Sequence, residues 1–104
     1  MADWVNIARE GELSVGQRAV ADTDAGKVAV FNIGGTLLAI EDVCSHDGGE
    51  LASGVCIGDQ IACPRHGAKF CLRTGKALTP PAYEDIATFP VRVEDGWVQV
   101  DLDG

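Results

Sequence analysis

The sequence contains no apolar segment approaching the ~20 residues that a membrane-spanning helix needs. Its N-terminal residues carry neither the basic region nor the apolar region of a signal peptide, so we expect a soluble, cytoplasmic protein. Basic residues are scarce as well, since 8 Lys and Arg accompany 16 Asp and Glu, for a formal net charge of -8. This balance argues against nucleic-acid binding, which requires a basic face, and favours protein partners with basic surfaces.

Helical periodicity is nearly absent, and short apolar segments separated by turn residues dominate instead. This pattern predicts an all-β fold, and 104 residues predict one domain, 1–104. Two-residue turn signals at Gly34-Gly35, Gly58-Asp59 and Asp95-Gly96 predict hairpins, and Pro90 predicts an edge position or a bulge. We expect strands at residues 4–8, 17–21, 27–32, 36–41, 55–57, 60–62, 68–72, 86–94 and 97–102.

Both histidines and two of the four cysteines fall in two short pairs, Cys44-Ser45-His46 and Cys63-Pro64-Arg65-His66. Each pair offers one thiolate and one imidazole, and in a cytosolic chain such cysteines suggest metal ligands before disulfides. Nothing in the sequence matches a nucleophile elbow or a phosphate-binding loop. Cys63 and His66 could form a catalytic nucleophile pair, but the presence of a second Cys/His pair makes metal binding the simpler interpretation. The sequence therefore predicts two loops that close on one metal centre.

Two kinds of centre use two thiolates and two imidazoles. Structural zinc takes Cys₂His₂ tetrahedrally, usually with the cysteines paired together and the histidines paired together. A [2Fe–2S] cluster can instead place two cysteines on one iron and two histidines on the other. Mixed pairs with short spacings favour the cluster, and glycines at 48, 49 and 67 would let backbone N–H groups approach its sulfides.

The segment C-S-H…C-P-R-H-G-A-K-F closely resembles the Rieske motif C-x-H…C-P-x-H-G. It is most similar to the small Rieske ferredoxins that supply electrons to bacterial aromatic-ring-hydroxylating dioxygenases. The Gly58-Asp59 hairpin, the turn at 74–76, Pro80-Pro81 and the final hairpin share this resemblance. It implies an antiparallel β-sandwich or barrel base, residues 1–41 and 78–104, with an inserted cluster-binding subdomain, residues 42–77.

The resemblance also implies a function. Cys44 and Cys63 would hold the inner iron of one [2Fe–2S] cluster, and His46 and His66 the outer iron. The protein would be a monomeric one-electron carrier and not an enzyme, taking electrons from a flavin- or NAD(P)H-dependent reductase to a terminal oxygenase. Two alternatives stay open: the small subunit of a nitrite reductase or similar larger enzyme, and a zinc-stabilised interaction module.

The sequence departs from the Rieske proteins of respiratory complexes at four positions. Gly49 and Arg65 stand where those proteins have a disulfide, and Ala68 and Phe70 stand where they have hydroxyl groups that bond to sulfur. Fewer hydrogen bonds to sulfur stabilise the reduced cluster less, so we expect a midpoint potential of about -150 mV.

The remaining residues have modest expected roles. Cys56 and Cys71 are predicted to be small buried side chains, and Trp4 and Trp97 to pack in the core of the terminal strands. Pro80-Pro81 is predicted to form a third wall over the cluster, as the resemblance implies. Arg65 and Lys69 could meet an acidic partner rim or be ordinary surface charges. Of the acidic residues that flank the first loop, Asp42, Asp47 and Glu50, two are predicted to be only solvated.

Overall fold

The computed structural model describes residues 2–45, 48–65, 67–80 and 82–104. In this part of the chain the regular structure is ten β-strands and one short 3-10 helix, Glu10–Glu12. The prediction of an all-β fold is therefore confirmed. The strands are β1 Trp4–Arg9, β2 Arg18–Thr23, β3 Gly26–Ile33, β4 Thr36–Glu41, β5 Cys56–Ile57, β6 Gln60–Ala62, β7 Lys69–Cys71, β8 Thr88–Phe89, β9 Val91–Glu94 and β10 Trp97–Asp101.

The strands form three antiparallel sheets. The first has the order β1-β10-β9, the second β2-β3-β4-β8 and the third β5-β6-β7. The segment predicted as one strand, 86–94, is two: β8 pairs with β4, and β9 pairs with β10. Pro90 lies between them, and because it has no N–H it suits a point where the chain leaves the edge of one sheet for another.

Strand β3 is buried on both faces and separates two cores. On one side, Val28 and Val30 pack against β10 of the first sheet. On the other side, Ala29 and Phe31 pack against the segment that contains the third sheet. The two faces of β3 therefore contact two different cores, and neither face is exposed to solvent in this stretch.

The predicted hairpin at Asp95-Gly96 is confirmed. Both residues have positive φ, 53° and 81°, as a type I′ turn requires. Because this turn joins β9 to β10, it fixes the register of Trp97 opposite Glu94 and of Val98 opposite Val93.

The expectation that both tryptophans belong to the core is wrong. Trp4 and Trp97 are half-buried and belong to neither core cluster. The guanidinium of Arg92 lies 4.2 Å from the Trp4 ring centroid, and that of Arg9 lies 4.3 Å from the Trp97 ring centroid. The indoles are therefore covered by arginine on the outer side of the first sheet. No helix in the described ranges is long and apolar enough to cross a membrane.

Candidate metal centre

Two turns with the same hydrogen-bond pattern carry the two candidate cysteines. In the first, the Cys44 N–H donates to the Gly49 carbonyl (2.7 Å), and the Gly48 N–H donates to the Cys44 carbonyl (2.8 Å). In the second, the Cys63 N–H donates to the Ala68 carbonyl (2.7 Å), and the Gly67 N–H donates to the Cys63 carbonyl (2.9 Å). Each cysteine therefore bonds to the residues four and five positions after it.

Glycine closes both turns for a conformational reason. Gly48 has φ +74° and Gly67 has φ +75°, values that a side chain with a Cβ adopts at a cost. The two glycines hold equivalent positions, four residues after each cysteine. The sequence shows the glycines, but the equivalence becomes visible only when the hydrogen bonds are compared.

Both candidate thiols lie in the same core. Cys44 is 1% exposed and Cys63 is 2% exposed, and both belong to the cluster of buried side chains between the second and third sheets. Neither forms a disulfide, and neither do Cys56 and Cys71. The structure therefore places the two cysteines that the sequence singles out in one buried cluster of side chains.

The two candidate histidines, His46 and His66, lie outside the described residues, as do Asp47 and Pro81. Among the residues that are described, no group of three or more His, Cys, Asp and Glu side chains comes together. The four-ligand set thus stays a prediction. Its two sulfur members lie in the same buried core, and each histidine is two or three residues along the chain from its cysteine.

Asp42 is a buried residue whose role the sequence did not reveal. It is 4% exposed, and its Oδ1 accepts the N–H groups of Leu51 (2.7 Å) and Ala52 (2.8 Å). One carboxylate thus joins the start of the first loop to its end. The sequence analysis predicts that two of the three acidic residues beside this loop are solvated, but it does not say that Asp42 is the buried one. An Asp two residues before the cysteine, at the end of a strand, was the available signal.

A second side chain reaches the same loop from the second sheet. The Nη1 of Arg18 donates to the carbonyls of Ala52 and Gly54, both at 2.6 Å. Its guanidinium carbon lies 5.2 Å from the Phe31 ring centroid. Gly54 approaches the third sheet so closely that a Cβ there would overlap the Ala62 carbonyl oxygen.

The segment after the third sheet packs along both cysteine turns. The Ser45 hydroxyl donates to the Glu84 carbonyl (2.6 Å), and the Lys69 N–H donates to the Thr79 hydroxyl (2.9 Å). Ala82 is buried in the same core as the cysteines. Pro80 is exposed. The residues on either side of Pro80-Pro81 therefore pack beside the cysteine turns, whereas Pro81 lies outside the described residues, so the predicted third wall stays a prediction.

Ala68 and Phe70 are fully buried in this core. Their side chains are apolar, so they bring no hydroxyl to the vicinity of Cys63. Fully buried apolar groups in the same core as the thiols keep water away from them.

Cys56 and Cys71 are half-buried and not fully buried as predicted. They lie on β5 and β7, the two strands that flank β6. Burial is the largest influence on Cys56 and raises the pKa of its thiol. A hydrogen bond from the Thr74 side chain lowers the pKa of Cys71.

The residues present fit a cluster that needs cysteine sulfur. Two thiols come from two equivalent turns into one buried apolar core, and backbone hydrogen bonds hold both turns. Such a donor pair suits an iron–sulfur centre, whose iron is held by cysteine thiolate.

Comparison with known proteins agrees with this chemistry. The sequence model of the Rieske [2Fe-2S] domain family matches residues 3–90. The 3-phenylpropionate/cinnamic acid dioxygenase ferredoxin subunit of Escherichia coli (strain K12) is 46% identical over 76 residues, 72% of each chain.

Solved structures give the same result. A ferredoxin of Sphingomonas yanoikuyae B1 is 30% identical, with a TM-score of 0.86 over 95% of this chain and 98% of that one. A chain in a complex of reduced oxygenase and oxidized ferredoxin in carbazole 1,9a-dioxygenase is 29% identical, with a TM-score of 0.87 over 94% of this chain and 92% of that one.

The chain belongs to the Rieske [2Fe-2S] domain family. Within that family it is a ferredoxin with one [2Fe–2S] cluster, an electron-transfer component and not a catalytic enzyme. The expected fold, cofactor and carrier function are thereby confirmed, and the nitrite-reductase and zinc alternatives are not favoured.

Proposed function

We propose that Cys44, His46, Cys63 and His66 hold the cluster, with the two cysteines on the inner iron and the two histidines on the outer iron. The observation that carries this proposal is the entry of Cys44 and Cys63 into one core from two equivalent turns. The cluster supplies reversible one-electron chemistry. The protein's own residues hold it rigidly and keep water from its sulfur side.

The division of the chain follows from the same arrangement. Residues 42–77 form a cluster-binding subdomain, and residues 1–41 and 78–104 form the base of a single domain. The arrangement of the two cores supports this division, since one lies within the base and the other joins the base to the insertion.

The partners are a flavin- or NAD(P)H-dependent reductase and the terminal oxygenase of an aromatic-ring dioxygenase, and the carrier works as a monomer in the cytoplasm. The relatives' names support the oxygenase, since they are ferredoxin subunits of dioxygenases. The net charge of -8 favours basic recognition surfaces on both partners.

The docking surface lies around the two cysteine turns. Val43 and Tyr83 are 38% and 81% exposed there, next to Cys44 and to the Glu84 carbonyl that binds Ser45. Apolar groups exposed beside an electron-transfer site suit a transient contact, and aromatic side chains are enriched in such contacts.

Reconstitution tests this function. The protein is mixed with NADH and with the reductase and oxygenase of a 3-phenylpropionate/cinnamic acid dioxygenase system, and substrate-dependent oxygen uptake is recorded. We expect uptake only when this protein is present, at a rate that falls as salt screens the acidic surface. A permanent stoichiometric complex with a large reductase, and no transfer to any oxygenase, would support the nitrite-reductase alternative instead.

A further inference from the structure

The two cysteine turns are held by different means although their inner hydrogen bonds are the same. The second turn is the loop of a hairpin. On either side of it β6 and β7 pair, with Ala62 opposite Lys69 and Ile61 opposite Phe70. Strand pairing therefore holds both ends of that turn, and Cys63 is displaced only if two strands separate.

The first turn has a strand on one side only. β4 ends at Glu41, and the next strand, β5, begins at Cys56. Within the described residues, no strand pairs with the chain that leaves the turn at Leu51 and Ala52. The two N–H groups there bind instead to a single buried atom, Oδ1 of Asp42.

Asp42 is itself fixed to the second sheet. Its own N–H donates to the Lys27 carbonyl (2.8 Å) at the start of β3. The backbone of Asp42 is thus bound to the second sheet, while its carboxylate binds the residues at the far end of the loop. The carboxylate occupies the place that a pairing strand fills in the second turn.

Arg18 completes this arrangement from β2. Its two 2.6 Å hydrogen bonds bind the carbonyls of Ala52 and Gly54, while Asp42 binds the N–H of Ala52. Near Ala52, Asp42 therefore binds backbone N–H groups, and Arg18 binds backbone carbonyl groups. Arg18 belongs to the second sheet, and Asp42 directly follows its strand β4, so both anchors are tied to that sheet.

We propose that Asp42 and Arg18 are positioning residues for the cluster: together they replace strand pairing and fix the first turn, and hence Cys44, relative to Cys63. This inference rests on the proposed ligands. Hydrogen bonds to a charged acceptor are among the stronger ones in proteins, and losing the acceptor leaves buried N–H groups without a partner. A turn released in this way would hold one cluster ligand loosely while the other stays fixed.

Four variants separate this role from a general one. Asp42→Ala removes the acceptor, and Asp42→Asn keeps Oδ1. Arg18→Met keeps the side-chain stem but loses the donors, and Arg18→Lys keeps a charged donor. Glu50→Ala is the matched control, because Glu50 is an exposed acid of the same loop whose carboxylate accepts hydrogen bonds from the N–H and hydroxyl of Ser53.

Three readouts are made on the cluster-loaded protein: hydrogen exchange in the segment 48–55, the rate at which a chelator removes iron, and the EPR line width after reduction. For Asp42→Ala we expect exchange and iron loss to accelerate about tenfold or more, with a broader EPR signal. Arg18→Met should shift all three readouts in the same direction. Asp42→Asn and Arg18→Lys should restore most of each readout, and Glu50→Ala should match the unchanged protein.

The proposal is overturned if Asp42→Ala behaves as the unchanged protein, or if Asp42→Asn is as defective as Asp42→Ala. Should Asp42→Ala fail to fold, Arg18→Met and Asp42→Asn decide: a wild-type iron-loss rate for Arg18→Met overturns the proposal. Failure of the proposed function looks different, because the unchanged protein would then contain no iron.

Discussion

Cys44 and Cys63 occupy the same position in two turns of the same construction. Each donates its N–H to the carbonyl five residues later and accepts the N–H of a glycine four residues later. The two histidines break this equivalence, since His46 is two residues after its cysteine and His66 is three. The equivalence therefore holds for the two cysteines, which explains how two segments that are distant in the sequence can present two thiols to one core.

Removing either of these cysteines should abolish the cluster. Cys44→Ala and Cys63→Ala each remove a thiolate from a buried, apolar core, and the iron of such a cluster is held by cysteine thiolate. We expect colourless protein with almost no iron or acid-labile sulfide, measured by chemical analysis and visible absorption.

The chain supplies its own control for that experiment. Cys56→Ser and Cys71→Ser remove thiols from the third sheet, outside both turns. These variants should keep full iron content. A loss of iron in either variant, equal to that of Cys44→Ala, would contradict the assignment of ligands.

Adding a hydroxyl near the cluster should raise its midpoint potential. Ala68→Ser and Phe70→Tyr place a hydrogen-bond donor at positions that are now fully buried and apolar. Because a donor to sulfur stabilises the more negative, reduced state, the potential should rise from about -150 mV by on the order of tens of millivolts.

Redox titration measures that potential, and Ala77→Ser serves as the control. Ala77 packs against the same core but lies outside both cysteine turns. A clearly positive midpoint for the unchanged protein would contradict the account of its low potential.

A methyl group at residue 54 should destabilise the protein strongly. In Gly54→Ala the new Cβ would overlap the Ala62 carbonyl oxygen, so the backbone joining the first turn to the third sheet must move. We expect a loss of about 3 kcal/mol in the free energy of unfolding.

Urea denaturation of the loaded protein checks this value. Gly11→Ala is the control, because a Cβ at Gly11 would meet nothing within 4 Å and Gly11 has no positive φ. Its free energy of unfolding should change by less than about 0.5 kcal/mol. If the two variants were equally stable, the backbone at Gly54 would not lie as close to the Ala62 carbonyl as described.

The two cysteines outside the ligand set should differ in reactivity. The Thr74 hydrogen bond lowers the pKa of Cys71, whereas burial raises the pKa of Cys56. Since the thiolate is the nucleophile, Cys71 should react with iodoacetamide at a lower pH than Cys56.

Mass spectrometry of the alkylated protein across a pH series measures both rates. Thr74→Ala removes the largest influence on Cys71, so its alkylation profile should move to higher pH while that of Cys56 stays in place. Faster alkylation of Cys56 than of Cys71 at neutral pH would contradict this assignment.

Much of the fold could be predicted because its signals are local. The strand at 36–41 matches β4, and Asp95-Gly96 makes the expected turn. That Cys44 and Cys63 belong together was predictable for the same reason, since the short spacing of each to a histidine is visible in the sequence, and both lie in one core. The division of the segment 86–94 into two strands at Pro90 could not be predicted, because the pairing of each half depends on which sheet has a free edge.

The missed features depend on contacts between distant residues. Asp42 reads as a solvated loop acid until the N–H groups of Leu51 and Ala52 are placed around it. Trp4 reads as a core residue until Arg92 is found over its ring, 88 positions later in the sequence. Composition and periodicity carry no record of such pairings.

The most direct test of the central claim is EPR spectroscopy of the dithionite-reduced protein, with iron and sulfide measured on the same sample. The account predicts roughly two irons and two sulfides per chain, and a signal from one unpaired electron coupled to the nitrogens of His46 and His66. A colourless preparation that contains zinc, or a reduced signal with no nitrogen coupling, would contradict it.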